Sequence, residues 1–509
     1  MAAAACLLTV SGIADAQHWR LTASAGATAT YNHYTGANHP NDDFVVCLNG
    51  SLGISSGQGG GRLKLNGSVG ANQALCIGGQ GNSFAPTANL LANLEVIEKF
   101  FFIDASASVS QSYISPFGPQ PSNLTVTSGN RYTSETYSVS PYIKGVIAPN
   151  ISYSVRDDNV WTTSRSYGES STRAPSTYAN NLTADMGSNI GYWSWDLNYT
   201  SQYYDNGLET GTYLIQTARA IVSYRIDPQL EVSGRFGYES ARFPGTSTIG
   251  QTTQDTIYGA GLHWKPTERT DLNGFWEHHF YGSAYNWQLT HRLPNVALSA
   301  SFTRGLTSFP QLALLIPAGT TVAQFLDAAF TTRIPDPVER AQAVARFLAQ
   351  TGLPPTLASP LNYYAPTVTL QNSAIVSAVW AGARNSIAFS VFRTENESVT
   401  NQGSALPPAF QFQSNNIQTG SGVYYSRPLS AQTNFAAGLT YTRARPNVSD
   451  ETANSFRSDN LNATAALNTQ FSPKTTGSVG LTYFIFDTPG SNVPRQSTLS
   501  AYASILHTF

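Results

Sequence analysis

The stretch FFIDASASVSQSYISPFGPQ, residues 101–120, sets Ile103, Ala105, Ala107 and Val109 at every second position, with Asp104, Ser106, Ser108 and Ser110 between them. Side chains alternate across a β-strand, so this pattern gives one apolar face and one hydrated face. Such a ribbon needs oil on one side and water on the other. The alternation recurs along the chain in segments of roughly ten to fourteen residues. Leu63, Leu65 and Val69 alternate with Lys64, Asn66 and Ser68, and Leu230, Val232, Phe236 and Tyr238 with Glu231, Ser233, Arg235 and Glu239. Further along, Val296, Leu298 and Phe302 oppose Ala297, Ser299 and Thr303, and Val479, Leu481 and Tyr483 oppose Ser478, Gly480 and Thr482.

The composition says where the oil lies. Charged residues make up 11% of the 509-residue chain, against about 25% in soluble proteins, and Lys occurs only at 64, 99, 144, 265 and 474. A soluble sandwich would normally carry many Lys and Glu on its outer faces. In a transmembrane barrel the apolar face meets lipid and the hydroxyl-rich face meets a watery lumen, while closure satisfies every backbone group. No run of apolar residues is long enough for a spanning helix. The net charge of −2 offers no electrostatic source for binding nucleic acid, which is dropped as a partner.

Turn signals supply a second pattern. IDPQL (226–230), WKPTER (264–269), RPLSA (427–431) and SPKTT (472–476) are short and proline-bearing, and three of them open similar strands ending in Gly and an aromatic residue, a hairpin-level repeat. Between them lie longer polar loops at 114–133, 158–175, 241–252 and 445–454. Short turns on one side and long loops on the other are typical of outer-membrane barrels. The fold class expected is all-β, a transmembrane antiparallel up-and-down barrel of about 22 strands, range 18 to 24. An even count puts both termini in the periplasm. Trp193, Trp195, Trp264, Trp276, Trp287 and Trp380 are candidates for aromatic girdles in contact with outer-membrane lipid. A plug domain is not expected, because strand character begins at Trp19.

Residues 1–16 read as a signal peptide, with an apolar stretch through Val10 and Ala14-Asp15-Ala16 as a small-x-small cleavage site. The missing positive n-region points to a truncated start, and Cys6 leaves with the leader. The single barrel domain is then 17–509. Its remaining cysteines, Cys47 and Cys76, flank a predicted hairpin in an oxidising compartment, where they form either a disulfide or two thiols.

Between 307 and 367 the strand pattern stops. TTVAQFLDAAFTTR (320–333) spaces Val322, Phe325, Leu326 and Ala329 as a helix does, and IPDPVERAQAVARFLAQTGLPP, which follows, carries Asp336 as cap, Pro337 at the first helical position and Gly352 and Pro354 as stops. A long extracellular loop with two short helices near 320–352 follows. It either folds into the mouth or lies as a lid over the rim.

Candidate chemistry is sparse. His278 and His279 are adjacent, so in a strand they point to opposite faces and do not chelate one metal. His279 shares the luminal face with Asp271 and Glu277, and Glu231, Arg235 and Glu239 share it on another strand. These six are read as pore-lining residues that tune electrostatics as charged rings do, or equally as ion pairs across the wall. No H-E-x-x-H occurs. No catalytic residue, metal or cofactor is expected, and a surface hydrolase ranks third behind a conduit and a diffusion porin.

FFIDASASVSQSYISPFGPQ, with YSVSPYIK (137–144), the Trp-Pro turn and the repeated hairpins, resembles an uncharacterised outer-membrane family associated with the PEP-CTERM/exosortase exopolysaccharide systems of Gram-negative bacteria. The resemblance implies an outer-membrane location and a link to exopolysaccharide export or assembly, with polysaccharide or export proteins as partners. It supplies no catalytic residues. The last strand, with Leu499, Ala501, Ala503 and Ile505 leading to Phe509, resembles the signal read by the barrel-assembly machinery, from which His507 departs.

Overall fold

The computed structural model describes residues 19–36, 42–56, 62–77, 83–122, 130–165, 176–205, 207, 212–243, 252–308, 322–330, 340, 343–344, 348, 354, 356–361, 363, 367–382, 384–399, 415–447, 457–489 and 494–509. The expected leader at 1–16 and Cys6 lie outside them. Twenty-two antiparallel strands form one sheet in which each strand pairs with its neighbours in sequence. The last strand, β22 (Gln496–Thr508), pairs with β1 (Trp19–Thr35) from Ser24↔Thr508 to Thr35↔Ser497, so the sheet has no free edge. A closed ladder is one of the two ways a backbone can cross hydrocarbon without orphaned N–H and C=O groups.

The wall is two-sided. In β17 (Ser386–Ser398), Ser386, Ala388, Ser390, Phe392, Thr394 and Asn396 are buried towards the lumen, while Ile387, Phe389 and Val391 between them are exposed on the outside. The opening stretch forms β5 (Phe101–Tyr113). On its luminal face the Ser106 hydroxyl bonds that of Ser138 at 2.6 Å. Leu52, Phe236, Leu439, Leu481 and Ile505 continue the exposed apolar belt. Of the expected girdle residues, Trp193, Trp264 and Trp380 stand exposed near one rim, and Trp276 towards the other.

Long connections leave one rim and short turns the opposite one, where β1 begins and β22 ends. One connection breaks the rule. Strands β13 (Thr270–His279) and β14 (Gly282–Leu293) meet on the long-loop rim through Phe280 and Tyr281 alone, with Gly282 at φ 92° completing the tight turn. A second departure concerns 158–165, expected as loop. These residues complete β7 (Ile151–Arg165). Asp, Asn, Ser and Thr make up turns and wet barrel walls alike, so composition alone misplaces the boundary there.

Because Leu481 stands in mid-strand on the outer face, 54% exposed, Leu481→Arg is expected to cost roughly 2–4 kcal/mol of folding stability in bilayers. The neighbouring Thr482→Arg, which points into the lumen, is expected to cost less. Denaturant titration of refolding, read by heat-modifiable gel mobility, checks the difference.

Candidate functional site in the barrel lumen

All six residues expected to line the pore sit on luminal positions, but they divide into two groups. Glu231 and Asp271 lie near the short-turn rim in solvated pairs, Glu231 with Arg225 at 3.9 Å and Asp271 with His263 at 3.2 Å and Lys265 at 3.1 Å. Arg235, Glu239, Glu277 and His279 come together near the other end with Arg219, which sequence reasoning missed. His279 Nδ1 lies 2.8 Å from Glu239 Oε2 and its Nε2 lies 3.1 Å from Glu277 Oε2. Arg235 and Arg219 donate to Glu277 Oε1 at 2.9 and 3.2 Å. The Phe280 N–H donates to Glu239 Oε1 at 2.7 Å, which ties the short β13–β14 turn into the knot. Glu277 and Glu239 are 1% and 2% exposed. The ring reading and the ion-pair reading thus separate by depth.

A glycine allows the knot to form. Arg235 of β11 (Leu230–Arg242) and Glu277 of β13 lie in one row on either side of Gly259, in β12 (Thr252–Thr267) between them. A Cβ on Gly259 would stand 2.2 Å from the Trp276 carbonyl and 2.8 Å from Glu277 Cγ. Without it, the guanidinium reaches over the intervening strand. Gly259 is visible in the sequence only as a mid-strand glycine; its place between Arg235 and Glu277 needs the strand register.

Two connections fold inward. The helix α1 (Val322–Phe330) belongs to the segment between β15 (Val296–Thr307) and β16 (Thr369–Ala381). Its Val322 and Leu326 are fully buried against Ala297, Val379 and Ala388, luminal residues at the short-turn ends of their strands. Ala297 lies ten residues before the end of β15, about 33 Å along the strand from the rim where the segment departs. The helix therefore stands deep in the lumen, and is neither a rim lid nor a mere lip. Arg340, Ala343, Val344 and Leu348 are helical as expected, with Val344 and Leu348 in the same apolar cluster and the Arg340 guanidinium donating to Asp327 at 2.8 Å; the remainder of the second expected helix lies outside the described residues. The chain then climbs the wall: Ser390 donates to the Ala358 carbonyl at 2.9 Å, and Leu361 N–H to Gln418 Oε1 at 2.9 Å. Higher still, the Tyr363 hydroxyl accepts from the Asn396 and Asn416 amides, and burial pushes its phenol well above the ordinary range.

The second inward connection is the ISPFGPQ stretch itself. After Tyr113 it crosses to β20 (Ser458–Ser472), seven strands away around the barrel. There the Gln120 N–H donates to Asn460 Oδ1 at 3.0 Å, the Ser122 N–H to Asn462 Oδ1 at 3.1 Å, and Asn462 returns a bond to the Gln120 carbonyl at 3.2 Å. The two connections meet where Tyr113 bridges Tyr363.

Two smaller points concern cysteine and serine. Within β2 (Asp43–Ser56) and β3 (Leu63–Ile77), Cys47 lies opposite Ala74 and Cys76 opposite Val45, so the two share a face diagonally. The side chain of Cys76 lies outside the described residues. A G-x-S-x-G string occurs at 53–57, and its Ser55, the next-to-last residue of β2, has no histidine bonded to it among the described residues.

No protein-family model matches the sequence, and no curated protein matches it either. Solved structures do. The siderophore receptor PiuA from Acinetobacter baumannii matches at 10% identity and TM-score 0.46, over 96% of this chain and 82% of that one. The siderophore receptor PirA from Pseudomonas aeruginosa matches at 11% identity and TM-score 0.37, over 96% and 80%. Pseudomonas aeruginosa OpdL matches at 10% and 0.34, over 96% and 98%. The chain is an outer-membrane-type β-barrel on its own geometry: a closed ladder, a greasy exterior and a hydrated interior.

The depth difference between the two charged groups is measurable. Glu277→Ala leaves Arg219 and Arg235 uncompensated and is expected to cost about 3–5 kcal/mol. Glu231→Ala near the rim is expected to cost less than about 1 kcal/mol. The same refolding titration in lipid compares the two.

Proposed function

We propose that the protein is an outer-membrane conduit, closed at rest by its own loops, that serves export or assembly of an exopolysaccharide. The observation that carries this reading is the lumen. Its buried wall is built from hydroxyls and amides such as Asn32, Ser390, Thr394, Asn416, Ser458, Asn460 and Ser500, and several of its charges are spent on one another, Arg156 on Asp104 and Asp158, Arg235 on Glu277 and His279 on Glu239. Such a wall exchanges hydrogen bonds with a neutral polyhydroxylated chain at little net gain or cost. The long-loop rim faces outward and both termini face the periplasm, where Phe509, 67% exposed, is presented to the barrel-assembly machinery. The resemblance of ISPFGPQ and YSVSPYIK to an exosortase-associated family points the same way.

A general diffusion porin is the second reading, favoured by Lys64, Asn66 and Ser68, which stay exposed to the lumen along β3. A hydrolase is disfavoured. Both nitrogens of His279 face carboxylates, so neither is left to take a proton from a nucleophile.

Deleting residues 315–355 is expected to raise single-channel conductance in planar bilayers several-fold. Unchanged conductance would remove the constriction. In cells, loss of the protein is expected to leave polymer in the periplasm; normal surface polymer with slower small-solute uptake would instead favour the porin.

A further inference from the structure

One part of the luminal wall, shared by β2 to β7 near the short-turn rim, encloses a cavity of about 680 Å³, within the usual range for small-molecule sites. It lies apart from the charged knot and from the residues on which α1 packs. Its polar groups are held in place. The Asp104 carboxylate accepts the Asn93 amide at 2.5 Å on one oxygen and the Arg156 guanidinium at 2.7 Å on the other. Arg156 Nε donates to Asp158 Oδ1 at 2.7 Å, and the guanidinium lies 5.0 Å over the Tyr142 ring, whose other side stacks on Phe102 at 5.0 Å. Planar donors and acceptors are thus fixed before any ligand arrives.

The charge balance selects the ligand. Lys64, Arg156 and Asp104 line the cavity, and Asp158, just beyond the lining, pairs with Arg156, so the four charges sum to zero and neither an anion nor a cation is favoured. Asn66 and Ser140 add uncharged hydrogen-bonding groups, and Leu91, 55% exposed, sets an apolar patch among them. A sugar ring presents the complement: vicinal hydroxyls, each donor and acceptor, around an apolar C–H face. Asn93, whose amide nitrogen also donates to the Tyr142 hydroxyl at 3.3 Å, keeps its carbonyl oxygen as an acceptor, and the Asn66 amide, the remaining lone pairs of Asp104 and the outer guanidinium nitrogen of Arg156 can engage neighbouring hydroxyls.

We propose that this cavity is a binding subsite for an uncharged saccharide segment at the inner end of the lumen. It rests on the conduit reading only for the side from which the sugar arrives. Titration calorimetry on the full chain in detergent tests it, with maltohexaose, mannohexaose and chitohexaose as probes and polyethylene glycol of equal length as the bulk control. At least one hexasaccharide is expected to bind saturably and the glycol is not. Asn66→Leu and Asn93→Ala are each expected to weaken binding roughly ten-fold, the size of one lost net hydrogen bond, with Ser478→Ala, three strands beyond β2 around the wall, leaving it unchanged. Asn66 is exposed to the lumen, so its variant keeps the test valid if Asn93→Ala fails to fold. Binding of none of the three sugars, equal binding of the glycol, or unchanged affinity in a folded Asn66→Leu barrel would overturn the subsite. Conductance of the same preparation separates the two readings: a conducting barrel that binds no sugar removes the subsite alone, and a sugar-binding barrel that stays non-conducting after deletion of 315–355 removes the conduit alone.

Discussion

Everything in this structure depends on the backbone finding its hydrogen bonds inside the sheet. In hydrocarbon an unpaired N–H or C=O costs several kcal/mol, and a strand edge would expose a whole row of them. The pairing of β1 with β22 removes that edge, and the final Phe509 N–H still donates to the Ala23 carbonyl at 2.9 Å. Closure then creates a second solvent. The interior is cut off from lipid by the wall, which is why Glu239, Glu277, Asn32 and Ser458 are buried in a membrane protein without facing oil.

A barrel of this width must either stay open or be filled, and the filling is written into the wall as a local change of lining. Most luminal positions carry Ser, Thr or Asn. Where α1 docks they become Ala297, Val379, Ala381 and Ala388, small or apolar residues that match Val322 and Leu326. The helix is therefore held by the same burial of apolar surface that holds a soluble core, on a patch whose size follows that of the helix. The ISPFGPQ connection uses the opposite chemistry, backbone groups bonded to the amide side chains of Asn460 and Asn462. Two different adhesives hold the two inward segments.

The strands were legible because their signal is local. The period of Ile103, Ala105, Ala107 and Val109, the proline turns and the helical spacing of Val322 and Leu326 each need only a dozen residues to be read. His279 and Glu277 also shared a face by parity alone. What escaped depends on closure. Glu239 and Arg219 join His279 and Glu277 only once β10 (Thr212–Asp227), β11, β12 and β13 are in register, and Gly259 matters only when Arg235 and Glu277 are known to flank it. The depth of α1 and the crossing from Gln120 to Asn460, 340 residues apart, are likewise properties of the assembled cylinder. The loss of 158–165 to a loop has another cause, since a wet wall and a turn draw on the same residues.

The distribution of charge bears on what can move through such a lumen. A ring of unpaired carboxylates or guanidinia would select ions by sign and hold them. Here many luminal charges neutralise each other at short range: half-buried Arg156 between Asp104 and Asp158, buried Glu277 between two arginines, buried His279 between two glutamates. Little field is left for a mobile ion to follow, while hydroxyls and amides along the wall keep their capacity to bond. A neutral, hydroxyl-rich chain can trade water for wall at each step with almost no change in free energy, and passage through a long pore requires contacts that are many and individually weak. A loosely held polymer also has no means of expelling the α1 helix from its apolar seat. On the proposed conduit reading, opening requires a force or partner acting on the segment itself, and it is the seat formed by Ala297, Val379 and Ala388, not the polar wall, that sets how large that force must be.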